Sequence, residues 1–158
     1  MHAITKGEHR FAFSETANPV EDVRACQTLD VGGDAVVHVN GNARIFAWGK
    51  ATIHVTGGFV HVMCWGNADV RFSGGARGRV DAGGRSTVLA EGDMLVIATE
   101  GVLVDADDDV QVLAYGDSQI YASSTTRVTL HGYALWHTET GVVGNTSTYR
   151  GGYVVSHY

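Results

Sequence analysis

The sequence predicts an all-β protein folded as a single-stranded β-solenoid, and three observations support this fold class. From Ala35 onward, small or apolar residues alternate with variable ones, which is the period of two expected of strands with one buried face. A second period, of eight residues, is superimposed on the first. Glycine contributes 21 of 158 residues, about 13% against roughly 7% in ordinary proteins. Because each interior glycine costs a helix about 1 kcal/mol, this composition disfavours helices.

The eight-residue unit reads A-x-V-x-A-x-G/D-x, and its marker position carries residues suited to corners. Glycine tolerates positive φ there, and aspartate or serine can hydrogen-bond the local backbone. One extra residue is expected at Gly57–Gly58 and two at Ala82–Gly84. The markers are Gly41, Gly49, Gly58, Gly66, Gly74, Gly84, Gly92, Glu100, Asp108, Gly116, Ser124 and Gly132.

Two units are needed for one coil, because eight residues are too few to enclose a core. Coils of 16 residues between positions 33 and 132 give about six coils, roughly 29 Å long at ~4.8 Å per strand spacing. Alanine and valine between the corners imply a thin core, which favours a flattened coil with two sides.

The chain divides into three parts on this pattern. Residues 1–22 are predicted to be an N-terminal cap or arm, 23–136 the β-solenoid, and 137–158 a C-terminal cap or arm. Solenoid ends expose unpaired strand edges that need such caps. Within the first part, Asn18–Asp22 is expected to begin a short helix or turn, since proline suits a first helical position.

The repeat also sorts the outward residues into columns, one face being apolar and aromatic and the other mostly polar. An exposed apolar patch of this size should be covered by a second copy, by another protein or by the terminal segments of the chain itself. The predicted interface residues are Phe46, Trp48, Met63, Trp65, Ile97, Leu113 and Tyr115.

Histidines, cysteines and arginines give no strong chemical signal. His38 and His54 lie 16 residues apart and should stack on adjacent coils, but no third ligand column accompanies them, so no metal site is predicted. Cys26 and Cys64 have no metal or disulfide spacing and are expected to be free thiols. The arginines near the insertions are interpreted as a structural surface; they are Arg71, Arg77, Arg79 and Arg85.

A run of aspartates is the remaining candidate for chemistry. Asp105, Asp107 and Asp109 are expected to form an outward row, with Asp108 pointing inward. Alternate strand residues lie roughly 7 Å apart, a separation that glycoside hydrolases use, but any charged strand meets that test. We therefore predict no catalytic residue and no cofactor.

The net charge and the N-terminal sequence indicate which partners and which cellular compartment to expect. A net charge of -6 argues against a nucleic-acid groove. The start of the chain has no apolar stretch typical of a signal peptide, and no segment reaches 18 apolar residues. A cytoplasmic or virion protein without membrane contact is expected.

The repeat units, as in Asn42–Gly49 and Asp109–Gly116, resemble the short β-solenoid repeats of bacterial and phage proteins. Capsid decoration proteins and tail spikes or fibres are frequent hosts of such repeats, and bactofilin-like polymers use similar coils. The resemblance implies a non-enzymatic structural protein of phage or prophage type that forms a homo-oligomer, a trimer being one form, on a capsid or tail. Alternatives are a carbohydrate- or receptor-binding module, a filament-forming scaffold and a polysaccharide-cleaving enzyme.

Overall fold

The structure, a computed structural model, confirms the predicted all-β solenoid. It describes residues 9–14, 20–23, 27–123, 125–138, 141–144, 147–150 and 153–156, and it describes side-chain burial over 28–123 and 125–137. The described residues contain no helix. In chain order the strands are β1 (His9–Ser14), β2 (Val20–Val23), β3 (Gln27–Gly33), β4 (Val36–Asn40), β5 (Ala43–Ala47), β6 (Thr52–Gly57), β7 (Phe59–Cys64), β8 (Asp69–Phe72), β9 (Arg77–Ala82), β10 (Thr87–Ala90), β11 (Met94–Ala98), β12 (Leu103–Ala106), β13 (Gln111–Ala114), β14 (Gln119–Ala122), β15 (Arg127–Leu130), β16 (Leu135–Thr138), β17 (Gly141–Gly144), β18 (Ser147–Arg150) and β19 (Tyr153–Ser156).

The strands form two sheets, so the coil has two sides as expected. Sheet 1 has the order β1-β3-β5-β7-β9-β11-β13-β15-β18-β19, and sheet 2 has the order β17-β16-β14-β12-β10-β8-β6-β4-β2. Between β3 and β16 the chain alternates between the sheets and completes about seven coils. The marker residues from 33 to 132 predict about six coils, because they begin at the last residue of β3 and end before β16.

The core is a narrow layer of small and β-branched side chains, as the repeat predicts. Along β5, Ala43, Ile45 and Ala47 are buried, and the residues between them are half-buried or exposed. Buried serines meet their hydrogen-bond requirement at the corners: the Ser86 hydroxyl donates to the Gly83 carbonyl at 2.8 Å, and Ser118 donates to the Tyr115 carbonyl at 2.7 Å. Each of these corners therefore closes without leaving its hydroxyl unpaired.

One corner of the coil is uniform and explains the spacing of the markers. It follows each sheet 1 strand from β3 to β15, and all seven of its central residues have φ between +63° and +79°. Glutamate occupies this position once, and the Glu100 carboxylate accepts a hydrogen bond from the Gly84 N–H at 2.7 Å. Glycine dominates the position because other residues rarely adopt this φ. The seven residues are Gly33, Gly49, Gly66, Gly84, Glu100, Gly116 and Gly132.

The first insertion lies where the sequence predicts it. The pairing of β4 with β6 shifts after Val39, so that Asn40 pairs with Gly57. This shift confirms one extra residue beside Gly58.

The prediction of the second insertion is wrong. Strand β8 pairs with β6 at an offset of 17 residues (Thr52 with Asp69), whereas β9 pairs with β7 at 18 (Phe59 with Arg77). The two extra residues therefore lie in the turn of residues 73–76, and Gly83 occupies an ordinary strand-end position. Glycine pairs occur at both places in the sequence, so the alternation of small residues does not distinguish them.

The ends of the solenoid differ in strand direction. At the N-terminal end, β1 and β2 continue the parallel sheets, and Val20 pairs with Val36 at the 16-residue offset. The prediction that a short helix or turn begins at Asn18–Asp22 is wrong for residues 20–22, which belong to β2, and residues 18 and 19 lie outside the described residues. At the C-terminal end, β17 pairs antiparallel with β16, and β18 pairs antiparallel with β15 and β19.

Candidate functional site

The outer face of sheet 1 brings the seven predicted interface residues together. In its central column Phe46 pairs with Met63, and Ile97 pairs with Leu113, each on the adjacent coil. The neighbouring column, at the strand ends, carries Trp48, Trp65 and Tyr115. We call these two columns, with the residues beside them on sheet 1, the aromatic face.

The two tryptophans are accommodated by glycines at both ends of their pair. Along the strand-end column the residues run Gly32, Trp48, Trp65 and Gly83. A Cβ atom on Gly32 would overlap the Trp48 indole, and one on Gly83 would lie 3.1 Å from Cδ1 of Trp65. Glycine at these positions lets the indoles occupy the space of missing side chains while Trp48 stays 39% and Trp65 50% exposed.

The same column continues toward the C-terminal coils with smaller and polar residues. Thr99 follows Gly83, and its hydroxyl donates to the Ala82 carbonyl at 3.0 Å. Tyr115 is 37% exposed and stacks on His131 with ring centroids 4.7 Å apart. The aromatic face therefore carries exposed rings on both sides of a central gap formed by Gly83 and Thr99.

A charged cluster in the middle of this face interrupts its apolar character. Asp81 lies between Met63 and Ile97 in the central column and accepts hydrogen bonds from Arg79, at 2.6 and 2.8 Å. Its other contact is His61 Nε2 at 2.7 Å. Partial burial raises the pKa of Asp81, but the hydrogen bonds from Arg79 and His61 together outweigh it, so the net pKa lies below the usual value. Asp81 is thus held as a carboxylate by two neighbours.

The repeat predicts neither the cluster of Asp81, Arg79 and His61 nor the outward column that holds its arginine and histidine. Arg44, His61 and Arg79 form a third outward column on sheet 1, on the side away from the tryptophans. The Arg44 guanidinium lies 5.3 Å from the centre of the Phe46 ring, within the range of a cation–π contact. The sequence feature that could have predicted this ion pair is the placement of Arg79 and Asp81 two residues apart, on the same face of one strand.

The outer face of sheet 2 carries the histidine pair. His38 and His54 stack as expected, with ring centroids 5.0 Å apart and planes 11° apart. Burial, His38 and Arg71 lower the pKa of His54. Arg71 occupies the next coil of this column. In the part of the chain that is described, no group of three or more His, Cys, Asp or Glu residues could hold a metal ion.

Near its C-terminal end the outer face of sheet 2 is less polar than the sequence suggests. Leu103, Tyr121 and Leu135 are exposed there, and Tyr121 stacks on His137 at 4.4 Å. This second apolar area lies on the side of the solenoid opposite the aromatic face.

The acidic row is divided by a corner of the coil. Asp105 and Asp107 line one shallow depression with Glu91, whereas Asp109 lines another with Asp93. The expectation that Asp108 points inward is wrong: it is exposed at the corner, with a φ of +62°.

Asp107 does not have the character of a general acid. Hydrogen bonds from Ser123 and from the Asp108 N–H lower its pKa. A glycoside hydrolase needs the opposite shift in the carboxyl that protonates the leaving group.

Cys64, the cysteine that the structure describes, does not offer a reactive thiol. Cys64 is free and buried, and burial raises the pKa of its thiol to about 11. Such a thiol stays protonated and inert at neutral pH. Cys26 lies outside the described residues.

The fold defines the chain as a two-sided parallel β-solenoid with an aromatic face. No known protein family, no curated protein and no solved structure matches the chain. Among the described residues, no helix is long and apolar enough to cross a membrane.

Proposed function

We propose that this protein is a non-enzymatic structural component that self-associates through the aromatic face of sheet 1. The observation that carries the proposal is the exposure of Trp48, Trp65 and Tyr115 in one column of a rigid parallel sheet. Exposed tryptophan and tyrosine are enriched in protein interfaces, where their burial contributes most of the binding energy.

The positions of the terminal strands favour a second copy as the covering partner. Strands β1, β18 and β19 are members of sheet 1 and extend it at its edges. The described strands of the terminal segments therefore lie beside the aromatic face rather than across it. A phage or prophage virion as the setting rests on the repeat resemblance alone, and we propose it only as the context in which such a structural protein would assemble.

Replacing both Trp48 and Trp65 with serine is expected to dissociate the oligomer. Truncation of an aromatic hot spot costs about 2 kcal/mol or more, so the dissociation constant should rise about 30-fold or more. Light scattering coupled to size-exclusion chromatography measures the change. Tyr121→Ser is the control because Tyr121 is exposed to a similar extent on the opposite sheet, and its mass should match the wild type. Equal masses for the double variant and the wild type would overturn the proposal.

A carbohydrate-binding module is the second candidate function. It is favoured by Trp48 and Trp65 on adjacent coils, because flat aromatic surfaces on a rigid sheet can pack against sugar rings. Under this alternative the same double variant loses retention on an immobilised polysaccharide while its mass stays that of the wild type.

A further inference from the structure

Charge is segregated along the solenoid axis. Residues 42–90 contain six Lys or Arg and two Asp, a net charge of +4. Residues 91–123 contain eight Asp or Glu and no Lys or Arg, a net charge of -8. The basic coils hold both tryptophans of the aromatic face, and the acidic coils hold Tyr115. Part of this difference lies on the outer side of sheet 1, which carries Arg44, Arg77 and the Arg79–Asp81 pair in the basic segment and Asp93 and Asp109 in the acidic segment. The two halves of the aromatic face therefore differ in the sign of their charge.

The sign of the charge changes between two adjacent coils in the middle of sheet 1, at the first residues of the strands. Arg77 immediately precedes Gly78, Asp93 immediately precedes Met94, and Gly78 pairs with Met94. Both side chains are exposed, and neither forms an ion pair with another residue in the described part of the chain. An arginine and an aspartate without ion pairs, on either side of this change of sign, are suited to contact a copy of the chain that runs in the opposite direction.

We propose that two copies pack their aromatic faces against each other in antiparallel orientation, about a two-fold axis that runs along the strands between β9 and β11. This inference rests on the proposed function, because it specifies how the self-associating face meets a second copy. In a two-fold interface, each contact between two different residues occurs twice. Arg77 then lies opposite Asp93 of the second copy, and the reciprocal contact gives two intermolecular ion pairs.

The same operation places large apolar residues of the two copies opposite each other in two columns. Met63 lies opposite Leu113 of the second copy, and Trp65 lies opposite Tyr115 of the second copy, because these pairs are equally far from the axis in the same columns. The small residues of the central gap fall at the axis itself. The large rings therefore meet on either side of the axis, and at the axis the Arg79–Asp81 pair of each copy faces Leu95 and Ile97 of the other.

Area and charge are consistent with a dimer of this kind. Six coils at ~4.8 Å and strands of about six residues give a face of roughly 600 Å² per copy, at the lower end for specific interfaces. Asp81 near the axis keeps Arg79 of its own chain as its ion-pair partner. The arrangement also places Arg44 opposite Arg127 of the second copy, at the outer ends of the face, where solvent screens like charges. If each coil instead faced the same coil of the second copy, the acidic segments of the two copies would face each other.

Charge reversal at Arg77 and Asp93 tests the orientation. The glutamate of Arg77→Glu should face Asp93 of the second copy twice, and the arginine of Asp93→Arg should face Arg77 of the second copy twice. Each variant alone should therefore raise the dissociation constant by about tenfold or more, as found for repulsive or broken charge pairs at interfaces. Both residues are exposed, so an unchanged thermal unfolding midpoint verifies that each variant folds.

Mixing the two variants distinguishes intermolecular contacts from contacts within one chain. In the mixed dimer, the glutamate of Arg77→Glu in one chain meets the arginine of Asp93→Arg in the other. The native Asp93 and Arg77 of the two chains meet as in the wild type, so sedimentation equilibrium of the equimolar mixture should show wild-type affinity. Within each variant chain the two charges remain alike, and an intramolecular effect would not be rescued.

The outcomes separate this arrangement from the proposed function. A mixture no tighter than the single variants overturns the antiparallel arrangement. If the wild type is dimeric and the double variant Trp48→Ser, Trp65→Ser dissociates, that same result leaves the proposed function standing. A monomeric wild type overturns both.

Discussion

Replacing Gly78 with alanine is expected to lower the free energy of unfolding by about 3 kcal/mol or more, which places it among severe single substitutions. Gly78 points into the coil at the start of β9, with a φ of +138°. A Cβ atom there would overlap the carbonyl oxygen of Val60 on the preceding coil. Because that oxygen belongs to the backbone of the paired strand, it cannot move without disturbing the parallel ladder. Chemical denaturation followed by circular dichroism measures the loss.

Gly75→Ala is the matched control for this substitution. Gly75 has a φ of +81°, but a Cβ atom there has no neighbour within 4 Å. The Gly75→Ala variant should therefore lose only about 1–2 kcal/mol of the free energy of unfolding, the cost of a left-handed backbone for a residue with a side chain. Equal losses for the two variants would show that β7 and β9 do not approach each other as closely as the register requires.

Phe72→Ala is the second substitution with a large expected effect. Phe72 is the largest fully buried side chain among the described residues, and its removal should cost about 3–5 kcal/mol because the coil cannot collapse into the cavity. It ends β8 at the corner where β9 begins, so Phe72 and the inward Gly78 flank one corner of one coil. One coil further along, the small Ala90 ends β10 and the large Met94 begins β11, so the order of sizes is reversed. Each corner therefore combines one large and one small inward residue, which keeps the thickness of the core similar from coil to coil.

The thermal unfolding midpoint, compared with that of Tyr133→Ala, measures the effect of Phe72→Ala. Tyr133 is 82% exposed, and its truncation should leave the midpoint nearly unchanged. A Phe72→Ala midpoint as high as that of Tyr133→Ala would contradict the burial of Phe72 in the coil.

The sequence was sufficient to predict the architecture because the coil imposes its period directly on residue type. Inward positions alternate, and the corner after each sheet 1 strand requires positive φ, so glycine at every eighth or sixteenth residue is a physical consequence of the fold. The location of the second insertion was not predictable in this way. The turn at residues 73–76 and the pair Gly83–Gly84 both contain two glycines, and only the pairing of β8 and β9 shows which of them extends the coil.

The candidate site was predictable as a set of columns but not as a surface. The marker glycine that follows each tryptophan is enough to predict Trp48 beside Trp65 on adjacent coils. The accommodation of the indoles by Gly32 and Gly83 depends on side-chain direction, which the repeat does not specify. Charge within a column likewise depends on neighbours: the spacing places Asp81 in the apolar column, but its pairing with arginine and histidine comes from the fold.

The charge reversal along the axis was visible in the sequence and became informative only with the register. Counting charges by coil gives a basic segment followed by an acidic one. The pairing of Gly78 with Met94 then places Arg77 and Asp93 on adjacent coils of one face. Their adjacency turns a difference in composition into a surface that is complementary to its own reversed copy.

The mass of the wild-type chain in solution tests the central claim, self-association through the aromatic face, most directly. Sedimentation equilibrium over a range of micromolar concentrations should give twice the 16.8 kDa of one chain, with dissociation favoured as salt concentration rises. A mass of one chain at every concentration and at low salt would contradict the account, because the exposed aromatic face would then have no second copy to cover it.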